Sequence, residues 1–245
     1  MDVTAWAKAL ETLQAYSFKI STPSSSGTGF LIKCGITNNI YGVATAYHVI
    51  EHAHQWEEPI KLLHTASGKQ VVIRHPDPFI FHKPLQDVAI ILFFNKELAL
   101  PEEELNLVPE DKSIKAGIPI GWVGYPAVAP NNFSFFTGAV SCFLQDQLAY
   151  LVDGVAINGV SGGPAFTVTD DGTPLIMGVV TAYIPNRATG ESLPGVCFVA
   201  SIHRFYDFIK EIKSVEEARE KAKEIEKETS ASAEEGSPGG PTAAR

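Results

Sequence analysis

Between Phe18 and Ala200 the chain runs in short apolar or alternating stretches cut by turn residues, among them "GTGFLIKCG", "NIYGVATAY", "DVAIILFF", "IPIGWVGYP", "GPAFTVT", "PLIMGVVTAYI" and "GVCFVA". Runs of this length, rich in β-branched and aromatic residues and bounded by Gly, Pro, Asn or Asp, predict strands rather than helices. The polar stretch from Asn95 to Gly117 divides them into two groups of similar size. That division predicts two small β-barrels, over residues 18–95 and 117–203, joined by a connector.

Helical periodicity is confined to the ends. "MDVTAWAKALETLQAYSF" predicts a short amphipathic helix as a lead-in over residues 1–17. Phe205, Phe208, Ile209, Ile212, Val215, Ala218, Ala222 and Ile225 recur every three or four residues, the period of a helix with one apolar face. Glu217 and Lys221 lie four apart and support it. The expected helix closes the second barrel near residue 210 and extends over 211–228, where it docks on the barrel or meets a partner helix. Residues 229–245, small, polar and rich in Pro and Gly, predict a disordered tail.

Composition narrows the classes. With 245 residues, 45% hydrophobic and 19% charged, the chain can bury a full core. A formal charge of -9 argues against a nucleic-acid partner, which needs clustered Lys and Arg. The first residues lack the basic region and apolar run of a signal peptide. No stretch has the roughly 20 apolar residues that span a bilayer, so no membrane partner is expected. Cys34, Cys142 and Cys197 are odd in number and widely spaced, which offers no disulfide framework and no metal-ligand spacing. Three plain buried thiols in a reducing, cytoplasmic setting are the expectation.

Two chemistries fit "ATAYHVIEHAH", Ala44 to His54. His48, Glu51 and His52 match H-x-x-E-H, in which two histidines hold zinc and the glutamate activates water. Alternatively, the apolar strand ending at Tyr47 delivers His48 alone as a general base. A second signal lies at "INGVSGGPAF". Gly159, Gly162 and Gly163 around Ser161 let the backbone turn sharply, exposing a hydroxyl and bringing amide N–H groups to one point, where they can stabilise an oxyanion. Asp87 heads the buried run "DVAIILFF", where a carboxylate is costly unless paired. A serine hydroxyl needs a base, and the base needs a group to fix its tautomer. His48, Asp87 and Ser161, in that order, can supply all three.

The set "GTGFLI", "ATAYH", "DVAII" and "GVSGGP" resembles the chymotrypsin-fold serine endopeptidases, in particular their HtrA-like and glutamyl-endopeptidase-like branches, from about Phe18 to Lys210. "PGVCFVASIHRFYDFIK" resembles that family's last strand and closing helix. The resemblance implies an all-β protein of two six-stranded antiparallel Greek-key barrels with a C-terminal helix. It implies His48 as general base and acid, Asp87 as its orienting carboxylate and Ser161 as nucleophile, with the N–H groups of Gly159 and Ser161 as the oxyanion hole. No metal or cofactor is implied. Zinc would need a third ligand that no further helix offers, and His52 and His54 then fall on a short turn after His48.

Several residues depart from the family's pattern. Val160 stands where digestive relatives carry an aspartate and HtrA relatives an asparagine, which leaves open what holds the oxyanion turn. Tyr47 is larger than usual before the histidine, no cysteines flank His48, and no PDZ domain is expected after the closing helix. By the same resemblance Val155 lies at the base of the specificity pocket, and Thr181, Ala182 and Tyr183 form the strand that pairs with substrate. A pocket without a carboxylate disfavours a basic P1 side chain, so a small or aliphatic P1 of a protein or peptide substrate is expected. The alternative is a protease-like module, non-catalytic or partner-activated, that binds protein.

Overall fold

In the computed structural model, residues 3–36, 39–75, 79–185, 192–215, 217–218 and 221–222 are described. The chain divides into two compact units, Met1–Tyr206 and Asp207–Arg245. The first opens with α1 (Val3–Tyr16), whose apolar face buries Ala9 and Leu13 completely. Trp6 on the same face lies 5.5 Å from Phe166 and 5.6 Å from Phe135, ring centre to ring centre.

The first sheet holds β1 (Ser17–Ser21), β2 (Ser26–Ile36), β3 (Ile40–Thr45), β4 (Ile60–His64), β5 (Gln70–Ile73), β6 (Phe79–Lys83) and β7 (Val88–Phe94), in the order β5-β4-β1-β2-β3-β7-β6. The apolar run of β7 is central, and Val88 to Ile91 are fully buried on both faces of the pleat. Among the described strands no pairing joins β5 to β6, so this sheet is a half-barrel rather than the closed six-stranded barrel expected. α2 (Tyr47–Gln55) leaves the end of β3. It is a helix of nine residues where a short turn was expected, because Val49, Ile50 and Ala53 bury one face and a carboxylate from another element caps its start.

The second sheet holds β8 (Asn106–Leu107), β9 (Pro119–Gly124), β10 (Ser134–Leu144), β11 (Ala149–Asp153), β12 (Pro164–Val168), β13 (Pro174–Pro185) and β14 (Ser192–Ser201). Six of them close in the order β9-β10-β11-β14-β13-β12, with β12 pairing back onto β9, and every pairing in this ring is antiparallel. β8 lies in the polar connector and joins β13 in parallel. Trp122, Tyr150 and Phe166 fill the barrel. The chymotrypsin-like, mostly antiparallel fold expected from the sequence is therefore present, with one barrel closed and one half open.

A 3-10 turn (Ile202–Phe205) ends the first unit. A helix over 206–215 follows, in which Phe208, Ile209 and Ile212 are buried and Val215 is exposed. The tail over 229–245 lies outside the described residues. No helix among the described residues is long and apolar enough to cross a membrane.

Candidate active site

His48 occupies the first turn of α2, whose N-cap residue, Ala46, has no side-chain acceptor. The missing cap comes from the head of β7. Asp87 Oδ1 accepts a hydrogen bond from the His48 backbone N–H at 2.9 Å, and Oδ2 accepts one from His48 Nδ1 at 2.8 Å. The first N–H groups of a helix have no intrahelical partner, and a carboxylate there also meets the positive end of the helix dipole. One carboxylate thus fixes both the main chain and the ring of His48. With Nδ1 as the donor, the neutral ring keeps the lone pair on Nε2.

Asp87 itself follows a 3-10 turn (Pro84–Gln86) and sits in the left-handed region at φ 52 and ψ 47, with its N–H bonded to Pro84 O. Aspartate enters that region more readily than most residues. The turn therefore ends with the carboxylate carried across to α2.

Ser161 lies in the turn between β11 and β12, and three successive peptides there are held through their carbonyls. Asn158 O accepts from Ala127 N–H at 2.6 Å, Gly159 O from the Thr28 hydroxyl at 2.9 Å, and Val160 O from Gly163 N–H at 2.9 Å. In a trans peptide N–H and C=O point oppositely. The first and third bonds therefore aim Gly159 N–H and Ser161 N–H away from the protein partners of those carbonyls. Neither amide makes a hydrogen bond among the described residues. Gly159 and Gly162 have φ of 89 and 87, and a Cβ at Gly162 would lie 2.0 Å from Thr28 O and 2.2 Å from Thr45 Oγ1. Only glycine fits both the conformation and the space.

Thr28, fully buried on β2, links the half-barrel to this turn. Its N–H donates to Ser161 O at 2.8 Å, its hydroxyl donates to Gly159 O, and the same hydroxyl accepts from Tyr125 N–H at 3.1 Å. Thr28 O in turn accepts from Thr45 Oγ1 at 2.8 Å, three residues before His48. The sequence reading passed over Thr28 although it lay inside "GTGFLI". The signal was its flanking glycines, since a Cβ at Gly27 would lie 2.9 Å from Ser161 O, a mark of close backbone approach.

The structure thus brings His48 and Asp87 together and packs the Ser161 turn beside them. Ser161 Oγ donates to Thr181 O at a long 3.4 Å, and no hydrogen bond joins it to His48 among the described residues. Thr181 is nearly buried on β13, while Ala182 and Tyr183 pair there with Phe198 and Cys197 of β14. The side chains of Ala182 and Tyr183 lie outside the described residues. β12 pairs with β13 only as far as Val179, so beyond Val180 one edge of β13 carries no strand among the described residues. Val155 is 54% exposed just after β11.

Away from this site, His52 Nδ1 meets Glu58 at 3.1 Å, and His54 packs against His82 with ring centres 4.8 Å apart. Among the described residues no group of three His, Cys, Asp or Glu side chains is arranged to hold a metal ion. Cys197 is fully buried, and burial pushes its thiol up to about 12. Cys142 is half-buried, and the side chain of Cys34 lies outside the described residues.

Comparisons with known proteins bear on the fold and the family. No curated protein matches the sequence. Among solved structures, a serine endoprotease from Yersinia pestis superposes with TM-score 0.62 at 15% identity, over 84% of this chain and 66% of that one. Deg5 gives 0.59 at 18% identity over 83% and 91%. A variant of the HtrA-type protease AlgW, with a decapeptide, gives 0.61 at 17% over 86% and 66%. This chain thus spans just under two thirds of the Yersinia protease, and at these identities the likeness is one of fold. The trypsin-like peptidase domain model matches residues 27–174, well over half of the chain and a span that includes His48, Asp87 and Ser161. The chain belongs to the trypsin-like peptidase family, whose chemistry is that of serine-type endopeptidases.

Proposed function

We propose that this chain hydrolyses peptide bonds through an acyl-enzyme, with Ser161 as nucleophile, His48 as general base and acid, and Asp87 as the group that orients His48. The observation that carries the reading is the double contact of Asp87 with His48 beside a turn whose Gly159 and Ser161 amides are unengaged. Rotation about its Cα–Cβ bond takes Ser161 Oγ from Thr181 O toward His48 Nε2. Oγ adds to the substrate carbonyl as Nε2 takes its proton, and the oxyanion is met by Gly159 N–H and Ser161 N–H. The tetrahedral adduct collapses, the amine leaves with the proton from Nε2, and water then releases the acyl group by the same steps.

Extended substrate adds along the open edge of β13 from Thr181 to Tyr183, where backbone pairing gives affinity with little sequence demand. The peptide in the AlgW structure is in keeping with such a substrate. Val155 borders the P1 pocket, and the segment "GVAINGVSGG", Gly154 to Gly163, contains no carboxylate to pair with a basic side chain. P1 is accordingly small or aliphatic.

One observation favours a second reading, a protein-binding module that is latent or non-catalytic: Ser161 Oγ rests on Thr181 O rather than on His48. Reaction with a fluorophosphonate, read by intact mass beside Ser161→Ala and with EDTA present, separates the two. Stoichiometric labelling of Ser161 that EDTA leaves unchanged supports the peptidase. A folded protein that takes up no label overturns it in favour of the binding module.

A further inference from the structure

Asp87 is held by more than its own turn. The 3-10 turn Pro84–Gln86 that ends in Asp87 has a counterpart in the closed barrel, Gln145–Gln147, which ends in Leu148, also in the left-handed region at φ 44. Each leads straight into a strand, β7 in one case and β11 in the other. Arg204, on the closing turn Ile202–Phe205, inserts between the two. Its Nε donates to Leu148 O at 3.0 Å, Nη2 to Gln147 O at 2.5 Å, and Nη1 to Gln86 O, the carbonyl immediately before Asp87. All three guanidinium nitrogens are engaged, in the planar fork that arginine alone provides.

Burying a guanidinium is costly without compensation, and here the compensation is three carbonyls together with the nearby negative charge of Asp87. Desolvation lowers the Arg204 pKa, and Asp87 opposes that shift. The charged and titratable groups on the elements around the pair are Tyr47, His48, Glu51, His52 and His54 on α2, Asp146 on the Gln145–Gln147 turn, Tyr150 and Asp153 on β11, His82 and Lys83 on β6, and His203 beside Arg204. His203 Nδ1 is bonded to Ser201 Oγ at 2.6 Å, and His52 to Glu58. Arg204 is thus a cation whose charge couples to Asp87, through a side chain bonded to the carbonyl just before it.

We propose that Arg204 is a positioning residue for the His48–Asp87 pair: it locks the carbonyl before Asp87 to the closed barrel and sets the field in which the carboxylate meets His48. The inference rests on the triad reading above. Without the guanidinium the Gln86–Asp87 peptide loses its anchor, and Asp87 loses the cation that offsets its charge. The first change misplaces the carboxylate, and displacements of about 1 Å can cost a hundredfold in rate. The second favours the protonated imidazole, so the acid limb of the pH–rate profile moves to higher pH.

The test compares the full chain with Arg204→Met and Arg204→Lys by thermal melting, by kcat and KM across pH on a peptide substrate, and by proton NMR of the His48 Nδ1 hydrogen. Arg204→Met should lower kcat about tenfold or more with KM within about twofold. Its acid limb should move to higher pH, and its Nδ1 resonance should broaden through exchange. Arg204→Lys should leave the acid limb in place, because the charge remains, while still weakening the Nδ1 resonance, because the fork is gone. A folded Met variant with the parent's kcat and Nδ1 resonance overturns the proposal. So does equal loss in both variants that tracks melting temperature with the acid limb unmoved. If Met fails to fold, a Lys variant with the parent's resonance and rate overturns it. A parent chain inert toward peptide and fluorophosphonate overturns the peptidase reading instead, and the NMR comparison still decides the role of Arg204.

Discussion

Replacing Thr28 by valine keeps the shape of a fully buried side chain and deletes one hydroxyl. Two partners are stranded: Gly159 O loses its donor at 2.9 Å and Tyr125 N–H loses its acceptor at 3.1 Å. A buried polar group left unpaired costs roughly 1–3 kcal/mol, so the pair costs about 2–6 kcal/mol before relaxation. A domain with about 5–15 kcal/mol of stability survives the middle of that range. Relaxation that finds Gly159 O another donor must rotate the Gly159–Val160 peptide, so stability regained is geometry lost beside the two proposed oxyanion donors. Removing one such donor outright costs about 10²–10³ in kcat. A loosened turn should therefore slow acylation about 10- to 100-fold. The assay is the second-order rate of fluorophosphonate labelling at Ser161, with urea unfolding run in parallel on Thr28→Val and Thr28→Ser. Serine keeps the hydroxyl and should label within a few-fold of the parent despite the lost methyl. Labelling of folded Thr28→Val within twofold of the parent would refute the argument, as would Thr28→Ser labelling as slowly as the valine variant.

Three further outcomes follow from the geometry. Asp87→Asn keeps an oxygen to cap α2 and a residue type that tolerates φ 52, so melting should shift little while kcat falls about 10³–10⁴-fold through the wrong imidazole tautomer; a loss under tenfold on a peptide substrate would count against the triad. Cys197, fully buried with its thiol pushed up to about 12, should resist iodoacetamide at pH 8 in the native protein and react only after denaturation, with mass spectrometry as the readout. His64 donates from Nε2 to Ala15 O at 2.9 Å, so Nδ1 accepts from Ser67 Oγ at 2.8 Å, and burial lowers its pKa from 6.5. Because the folded value lies below the unfolded one, its contribution to stability is complete above pH 6.5 and is lost as pH falls toward the folded value. His64→Gln should flatten the decline of the urea midpoint between pH 6.5 and 5, and an unchanged slope would exclude His64 as its source.

What could be read from the sequence followed from how each residue works. Strands were legible because a pleated, half-buried surface imposes its pattern on every residue, and β4 buries Ile60, Leu62 and His64 in strict alternation. His48, Asp87 and Ser161 stood out in the sequence because the chemistry proposed for them needs particular side chains in particular company. α2 was missed because its cap is the carboxylate of Asp87, thirty-nine positions from His48. Closure of one barrel and not the other was invisible for a related reason. It depends on whether β12 reaches β9, and strands of either kind carry the same pattern.

The turn around Ser161 shows why side-chain motifs mislead at one position. Val160 looked anomalous because relatives put a polar residue there, and the question was what then holds the turn. The answer lies in the backbone. Asn158 O, Gly159 O and Val160 O are each taken by a donor other than side chain 160: Ala127 N–H, the Thr28 hydroxyl and Gly163 N–H. Position 160 is thereby released to pack, and Val160 is fully buried, its Cα 3.0 Å and its Cγ1 3.1 Å from where a Cβ on Gly124 would stand. The same arrangement couples the two sheets, because Thr28 belongs to β2 and Thr45, which holds Thr28 O, to the strand that delivers His48. A shift of the half-barrel that moves His48 pulls on Gly159 and Ser161, so the proposed base and the turn of the proposed nucleophile are tied through one chain of hydrogen bonds.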